Sequence, residues 1–258
     1  KKMRIIGVTG TNGKTTTAHF LASILINSGI KCGITGTLGT FYADKYAEPT
    51  LTTPDPLALH KTFFDMAEAG VETVVMELSA HAIFLDKLYG IKFETVIFTN
   101  FTQDHLDFFG DMESYKRAKL KLFREYDYKY AVINSDDAVG REIIGENQKA
   151  VSYGIENPAD VFAIDVSEDG DGQSFVVNLF DCIYDVTINL IGAFNVYNAL
   201  AAATAAALYG ITPREVADGL ENLKGVGGRL EKVYEGEFDV YLDYAHTPDG
   251  LKNALIAT

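Results

Sequence analysis

Residues 8–17 read VTGTNGKTTT, a run built to cradle a polyphosphate. Gly10 and Gly13 have no side chain to hold backbone N–H groups away from phosphate oxygens, Lys14 supplies positive charge, and the Thr15 hydroxyl can ligate Mg²⁺. Thr11, Asn12 and Thr16 complete the loop. The strict phosphate-loop pattern of two glycines flanking four residues is not met, because position 8 is Val and the nearer glycine is Gly10. A glycine-rich turn that merely opens a helix is the plainer alternative. A strand before the run and a helix after it favour an ATP site.

Further along, VETVVMELSAH places Glu77 at the carboxyl end of a buried strand, where open α/β sheets bind ligands. Alone, such a Glu reads as a solvated rim residue. Beside a nucleotide loop it gains a purpose, since Mg²⁺ on ATP takes a carboxylate or water opposite the Thr15 hydroxyl. After the next strand, TNFTQDHLD crowds Asn100, Asp104, His105 and Asp107 into one loop. A capping loop with a satisfied His fits this cluster as well as a metal-side His does. On the following helix, Met112, Tyr115, Leu122 and Phe123 share a stripe with Lys119, whereas Arg117, Lys121 and Arg124 recur on another. A buried Lys119 amine must be neutralised or paired. A lysine snorkelling from the stripe's edge is the ordinary alternative.

Such groups need a frame that brings distant segments to one edge. Apolar, β-branched runs alternate with helix-period segments through the first two-thirds of the chain, the pattern of a parallel sheet with crossover helices. Strands are predicted at 4–9, 31–35, 72–77, 95–99, 130–134 and 150–153, and helices at 14–28, 56–69, 112–125 and 136–146. From 160 to 190 the period shortens toward two, and SFVVNLF and CIYDVTINL flank a turn at Asp181, which predicts an appended antiparallel hairpin. A helix at 195–209 follows, then a short one with Thr212 as cap and Pro213 at its first position. Gly225, Gly227 and Gly228 mark a flexible boundary. Beyond it, strands at 230–234 and 238–243 lead into a final helix carrying Leu251, Ala254 and Leu255. The predicted class is α/β: a mostly parallel sheet of the phosphate-loop type flanked by helices, with a small antiparallel subsheet and the truncated start of a second α/β domain.

The chain has 258 residues, 47% hydrophobic, with 22 Lys and Arg against 36 Asp and Glu for a formal net charge of −14. That composition is globular with a sizeable core, and it excludes disorder and collagen-like repeats. The acidic balance argues against nucleic acid or an anionic membrane as partner, so any phosphate must be held by a local site. Cys32 and Cys182 are too few for a disulfide framework and are not spaced for zinc, so a reducing, cytoplasmic setting is expected. The apolar start MRIIGV is cut by the polar loop and does not read as a signal peptide. The alanine-rich run at 199–211 is shorter than the about 20 apolar residues that span a bilayer.

At the loop, the sequence resembles a known family. GTNGKTT is the form found in the Mur ligases and their folylpolyglutamate-synthetase relatives, which use ATP to join a carboxylate to an amine through an acyl phosphate. The resemblance implies their central ATP-binding domain over residues 1–228 and the start of the carboxy-terminal ligase domain over 229–258, with the amino-terminal UDP-binding domain absent. It makes Glu77 a magnesium ligand together with Thr15. The match to N-x-x-x-D-H-L-D sets His105 beside a second Mg²⁺. The A-K-x-x-L-F segment makes Lys119 the family's carbamylated lysine, a carboxylate equivalent that helps hold that metal. IGAFNVYNALAA resembles the element whose two Asn, here Asn195 and Asn198, contact the adenine side, although Asn195 also reads as an ordinary N-cap. Arg229 in GGRLE would approach the ATP phosphates, and Asp243 in VYLDYAHTPDGL, beside His246, the ribose. An Arg beside a strand is otherwise usually a surface residue.

TLTTPDP at 50–56 and ELSAHA at 77–82 look most like the tripeptide-forming branch of the family, in which Thr52, Thr53 and Ser79 would contact a UDP-N-acetylmuramoyl-dipeptide. Leu51, Leu85 and Lys87 stand where Asn, Gln and Arg are common, so the substrate contacts are expected to differ; Lys87 keeps the charge without the bidentate fork. Phe109 replaces a usual His. The implied activity is ATP-dependent addition of an amino acid to UDP-N-acetylmuramoyl-L-Ala-D-Glu in peptidoglycan precursor synthesis. ATP and Mg²⁺ are the implied cofactors, the muramoyl-dipeptide and an amino acid the partners, and a monomer the expected unit. This stretch alone would bind ATP weakly and ligate nothing. Two alternatives stand beside it. One is a folylpolyglutamate-synthetase-like ligase, against which TTPDP and SAH speak. The other is a non-catalytic phosphate-loop module or a GTPase, for which no guanine-reading NKxD follows a later strand.

Overall fold

The computed structural model describes residues 3–169 and 172–258. The strands in chain order are β1 (Arg4–Thr9), β2 (Cys32–Gly36), β3 (Gly39–Tyr42), β4 (Lys45–Ala47), β5 (Thr73–Glu77), β6 (Phe93–Phe98), β7 (Tyr128–Asn134), β8 (Ala150–Gly154), β9 (Val161–Asp169), β10 (Gly172–Leu179) and β11 (Cys182–Ile188). Helices α1 (Lys14–Asn27), α2 (Pro56–Glu68), α3 (Ala80–Phe84), α4 (Leu106–Phe109), α5 (Met112–Glu125), α6 (Ala138–Glu146), α7 (Phe194–Tyr209) and α8 (Pro213–Asn222) connect or follow them. All these strands form one sheet in the order β11-β10-β9-β8-β7-β6-β1-β5-β2-β3-β4. Pairing is parallel from β2 across to β9 and antiparallel at both ends.

Alternation along the strands builds two cores. Val74 and Met76 of β5, Val96 and Phe98 of β6, and Ala131 and Ile133 of β7 pack against α2, α3, α5 and α6 through Leu59, Phe63, Ile83, Leu122 and Ile143. Val75, Ile97 and Val132 face the other way, onto α1, α7 and α8. Helices on both faces are what such two-sided apolar strands require. The alanines of α7 let it lie close against α1, and Gly210 in the left-handed region, φ 95°, stops it. Thr212 and Glu215 form a reciprocal capping box that starts α8. Asp111 and Asp137 cap α5 and α6.

Observed elements follow the predicted ones to within a residue or two at most ends, and β1 and α5 coincide with them. The segment from 160 to 190 is larger than the predicted hairpin. β10 and β11 do form it, around a two-residue turn with Phe180 at φ 49° and Asp181 at φ 67°. β9 adds a third strand, antiparallel to β10 and parallel to β8, which joins the subsheet to the main sheet. At the opposite edge, β3 and β4 extend β2 by antiparallel pairing that the sequence reading leaves out. After the glycines, β12 (Glu231–Tyr234) and β13 (Val240–Leu242) pair as a separate two-stranded sheet, followed by α9 (Pro248–Ala257). No helix among the described residues is long and apolar enough to cross a membrane, and both cysteines are free.

From β1 the chain moves out to β2 and β5 on one side, then crosses to β6 and β7 on the other. A crevice opens outside the carboxyl ends of the strands at such a reversal.

Candidate functional site

That crevice is a cavity of about 760 Å³. It is lined by the loop residues Thr11, Asn12, Gly13, Lys14, Thr15 and Thr16, and by Glu77, His105 and Lys119. Thr52, Thr53, Ser79, Lys87, Asn195, Asn198, Arg229, Asp243 and His246 line it as well. Of the residues the sequence singles out for nucleotide, metal or substrate, Gly10 alone is not in the lining, and its contribution is steric. Its φ is 149°, and a Cβ there would fall 1.8 Å from Thr99 Oγ1, so no side chain fits where the loop leaves β1.

The loop feeds straight into the first turn of α1, with Gly13 in the left-handed region at φ 85°. Lys14 folds back over the loop, its Nζ donating to the carbonyls of Gly10 at 2.9 Å and Thr11 at 2.8 Å. Burial lowers its pKa, and Glu77 and Asp104 partly offset that. Thr15 Oγ1 donates to Glu77 Oε2 at 3.0 Å and accepts from Arg229 Nη2 at 3.1 Å. Glu77 is 1% exposed, so its carboxylate is available only from the crevice side. Thr37, in the turn between β2 and β3, gives Glu77 two more donors: its N–H to Oε1 at 2.9 Å and its hydroxyl to Oε2 at 3.1 Å.

Across the crevice, His105 sits in the left-handed region at φ 52° and opens α4. Asp104 grips it twice, accepting from the His105 N–H at 2.8 Å and lying 3.2 Å from Nε2. The capping-loop reading is thus half right: the loop does open a helix, but the His side chain stays on the cavity wall. The His81 and His105 rings meet edge to face at 4.8 Å. Burial holds both imidazoles below the usual histidine pKa. The Phe109 ring lies tilted against His81 and against Tyr115, at 5.3 Å from each, extending the aromatic wall.

Lys119 does not snorkel. It is 1% exposed, and its Nζ lies 4.8 Å from the Tyr115 ring, with no hydrogen bond or ion pair to any described residue. Burial first, and the Lys14 charge second, push its pKa well below the usual lysine range.

Asn195 is not the cap of α7, a place Ala193 holds. Its Nδ2 donates to Ile191 O at 2.8 Å, and its Oδ1 accepts from Asn198 Nδ2 at 2.9 Å. Asn198 Oδ1 in turn accepts from Thr17 Oγ1 at 3.3 Å, which ties α7 to α1 beside the loop. Asp243 spends its oxygens on the N–H groups of Leu230 and Ala245, shaping the segment that presents Arg229. The Arg229 guanidinium also lies 4.9 Å from the Tyr244 ring. Asn12 Nδ2 reaches Asp249 at the start of α9, 3.2 Å away.

On the side of the crevice formed by residues 51–53, Thr53 donates to the Glu77 carbonyl at 2.8 Å and accepts from the Ser79 N–H at 2.9 Å, so its hydroxyl organises the strand end. Ser79 caps α3, Thr52 Oγ1 pairs with Thr37 Oγ1 at 3.1 Å, and Lys87 bridges to Asp55 at 2.6 Å. Thr37 and Asp249 are cavity residues that sequence patterns do not single out, and His81 lies in the ELSAHA run without a role read for it. A Thr in a short turn carries no signature, and Asp249 becomes visible only once α9 is placed.

A glycine-rich loop and a strand-end carboxylate thus face one crevice at the reversal of a doubly wound sheet. A family model for the Mur ligase middle domain matches residues 8–206, and the chain belongs to that family. Among its relatives, a UDP-N-acetylmuramoyl-L-alanyl-D-glutamate--2,6-diaminopimelate ligase of Clostridium acetobutylicum is 43% identical, covering 100% of this chain and 54% of that protein. The enzyme of the same description from Halalkalibacterium halodurans is 43% identical over 98% of this chain and 53% of its own length. A solved structure of such a diaminopimelate ligase superposes with a TM-score of 0.87 at 34% identity, over 100% of this chain and 54% of that one. MurF from Acinetobacter baumannii superposes at 0.80 with 25% identity, over 99% of this chain and 55% of that one. The chain therefore spans about half the length of the relatives it matches.

Proposed function

We propose that this chain is the ATP-binding part of a ligase that adds 2,6-diaminopimelate to UDP-N-acetylmuramoyl-L-alanyl-D-glutamate. The observation that carries it is the convergence of Glu77, His105 and the buried Lys119 on the cavity that the nucleotide loop opens. The relatives' names supply the two substrates. The substrate carboxylate attacks the γ-phosphorus and expels ADP, and the amine then attacks the acyl phosphate and expels inorganic phosphate. The loop N–H groups and Lys14 hold the phosphates and offset their charge. Arg229, on the far side of the glycines, approaches the same phosphates, and Asn195, Asn198 and Asp243 border the nucleoside end. Thr52, Thr53, Ser79 and Lys87 border the muramoyl substrate.

The donor set fits Mg²⁺. Among the described residues no cluster of three or more His, Cys, Asp or Glu forms a cage, and Mg²⁺ on a nucleotide uses one or two protein oxygens plus phosphate and water. Thr15 and Glu77 would hold the ion, and its charge would assist phosphoryl transfer. His105 and Lys119 would border a second ion. The amine of Lys119, whose protonated form burial disfavours, is suited to adding carbon dioxide: the nitrogen bonds to carbon, one proton leaves, and a carbamate results. The proposed unit is a monomer, and a UDP-linked, water-soluble substrate sets the proposed reaction in the cytoplasm. Residues 1–228 form the middle domain in this reading, and 229–258 begin the next.

Phosphate release by the complete reading frame that contains this chain should require ATP, the muramoyl-dipeptide and diaminopimelate together. GTP should not replace ATP. Release indifferent to the muramoyl-dipeptide overturns the proposal.

A further inference from the structure

β2 runs parallel to β5 with Thr35 abreast of Met76, so the turn after β2 comes to lie beside the Glu77 side chain. Gly36 brings the backbone close enough that an added Cβ would fall 2.1 Å from Glu77 Oε1. Thr37 then meets the carboxylate with both of its donors, the N–H on one oxygen and the hydroxyl on the other. A threonine hydroxyl has a single proton. Since Glu77 can only accept, that proton belongs to Glu77, and the 3.1 Å contact between Thr37 Oγ1 and Thr52 Oγ1 must be donated by Thr52. A directed chain results: Thr52 to Thr37, and Thr37 to Glu77. It runs from the loop on the substrate side to the carboxylate beside Thr15.

We infer that Thr37 is a positioning residue, which aims the Glu77 carboxylate into the nucleotide site and ties it to the loop carrying Thr52. The inference rests on the proposal that Glu77 and Thr15 hold the nucleotide's metal. A carboxylate held at both oxygens by a tight turn cannot rotate to follow a misplaced ion, so Thr37 sets where the metal is accepted. Partners behind a metal ligand are worth about 10–100-fold in metal affinity.

Calorimetric titration of the complete protein that contains this chain with the nonhydrolysable β,γ-imido analogue of ATP, with and without Mg²⁺, reads the metal-dependent gain in affinity. Thr37→Val keeps the backbone donor and the shape but removes the hydroxyl. It should cut that gain by about 10-fold, with metal-free affinity and melting temperature unchanged, and Thr37→Ser should restore it. A Thr37→Val protein with the wild-type gain, or one whose metal-free affinity falls by the same factor, overturns the inference. Glu77→Gln separates the two layers. If it also keeps the gain, the metal-site proposal is what fails; if it alone loses the gain, the role of Thr37 fails. Should Thr37→Val not fold, Thr52→Val decides: a reduced gain supports the chain of hydroxyls, and an undiminished one overturns it.

Discussion

Lys119→Met in buffer free of carbon dioxide should make the protein more stable. The wild-type amine is buried against the Tyr115 ring without a hydrogen bond or carboxylate among the described residues. Methionine has similar length and no charge, and it adapts to irregular surroundings. Removing an amine that has no protein partner but borders the cavity recovers at most roughly 1–3 kcal/mol of desolvation, against about 0.5–1 kcal/mol of cation–π attraction lost. The balance is a gain of about 0–2.5 kcal/mol, centred near 1 kcal/mol, or roughly 3 °C at the centre for a chain of this size.

The pH dependence has a definite sign. The native pKa of Lys119 lies below the unfolded value of about 10.4, so between the two the unfolded state binds more protons and stability rises with pH. The wild-type penalty is full below the native pKa and gone above the unfolded one, and the advantage of Lys119→Met must shrink as pH rises through that window. Bicarbonate should raise the wild-type melting temperature and leave the variant unmoved. The sequence has no Trp, so far-UV circular dichroism is the suitable probe. A variant less stable than wild type without carbon dioxide, or an advantage that grows with pH, would refute the reasoning.

Gly10→Ala forces a Cβ to within 1.8 Å of Thr99 Oγ1 at a φ of 149°; urea unfolding should show a loss of about 2 kcal/mol or more, and a neutral result would mean the loop does not leave β1 as described. Thr212→Ala removes the capping box of α8 and should cost about 1 kcal/mol in the same assay, with no change in nucleotide affinity. Burial holds the His19 imidazole below its usual pKa, with Nδ1 2.8 Å from Thr15 O. The native state then binds fewer protons, so stability falls as pH drops through the unfolded value of about 6.5. His19→Gln should flatten that part of the acid limb, and an unchanged slope between about pH 5 and 7 would count against it.

Legibility in the sequence tracked the range of the forces involved. α5 could be read end to end because a capping Asp111 and a one-sided apolar stripe are local signals. β1, and Glu77 at the end of β5, were equally plain, since an uninterrupted apolar run marks a strand buried on both faces. β3 and β4, of four and three residues, offer too few positions for a period to show. The parallel pairing of β9 with β8 is decided by long-range packing, as only two of its residues, Val161 and Phe162, are in that register. Within the site, residues on motifs were found and their connectors were not. Arg229 was visible as a cation, but not as a donor to Thr15 across 214 positions of sequence.

The aim of the Glu77 carboxylate and the packing of the core are one requirement. Along β5, Val74 and Met76 face α2 and α3, whereas Val75 faces α1. Glu77 shares the parity of Val75, so it points toward the side where α1 begins and where Thr15 presents its hydroxyl. A one-residue slip of β5 against β1, now registered with Val8 beside Glu77, would exchange the two faces. Val75 would then leave the α1 core, and a carboxylate would turn toward the apolar layer under α2. Neither is tolerable, so the alternation in TVVME that buries Val75 also directs the acid. His105 and Lys119 come from the other layer, and they line one cavity with Glu77 only because the two layers share the sheet's carboxyl edge. The site is thus confined to the single place where a side chain from either face can reach a ligand without crossing the sheet.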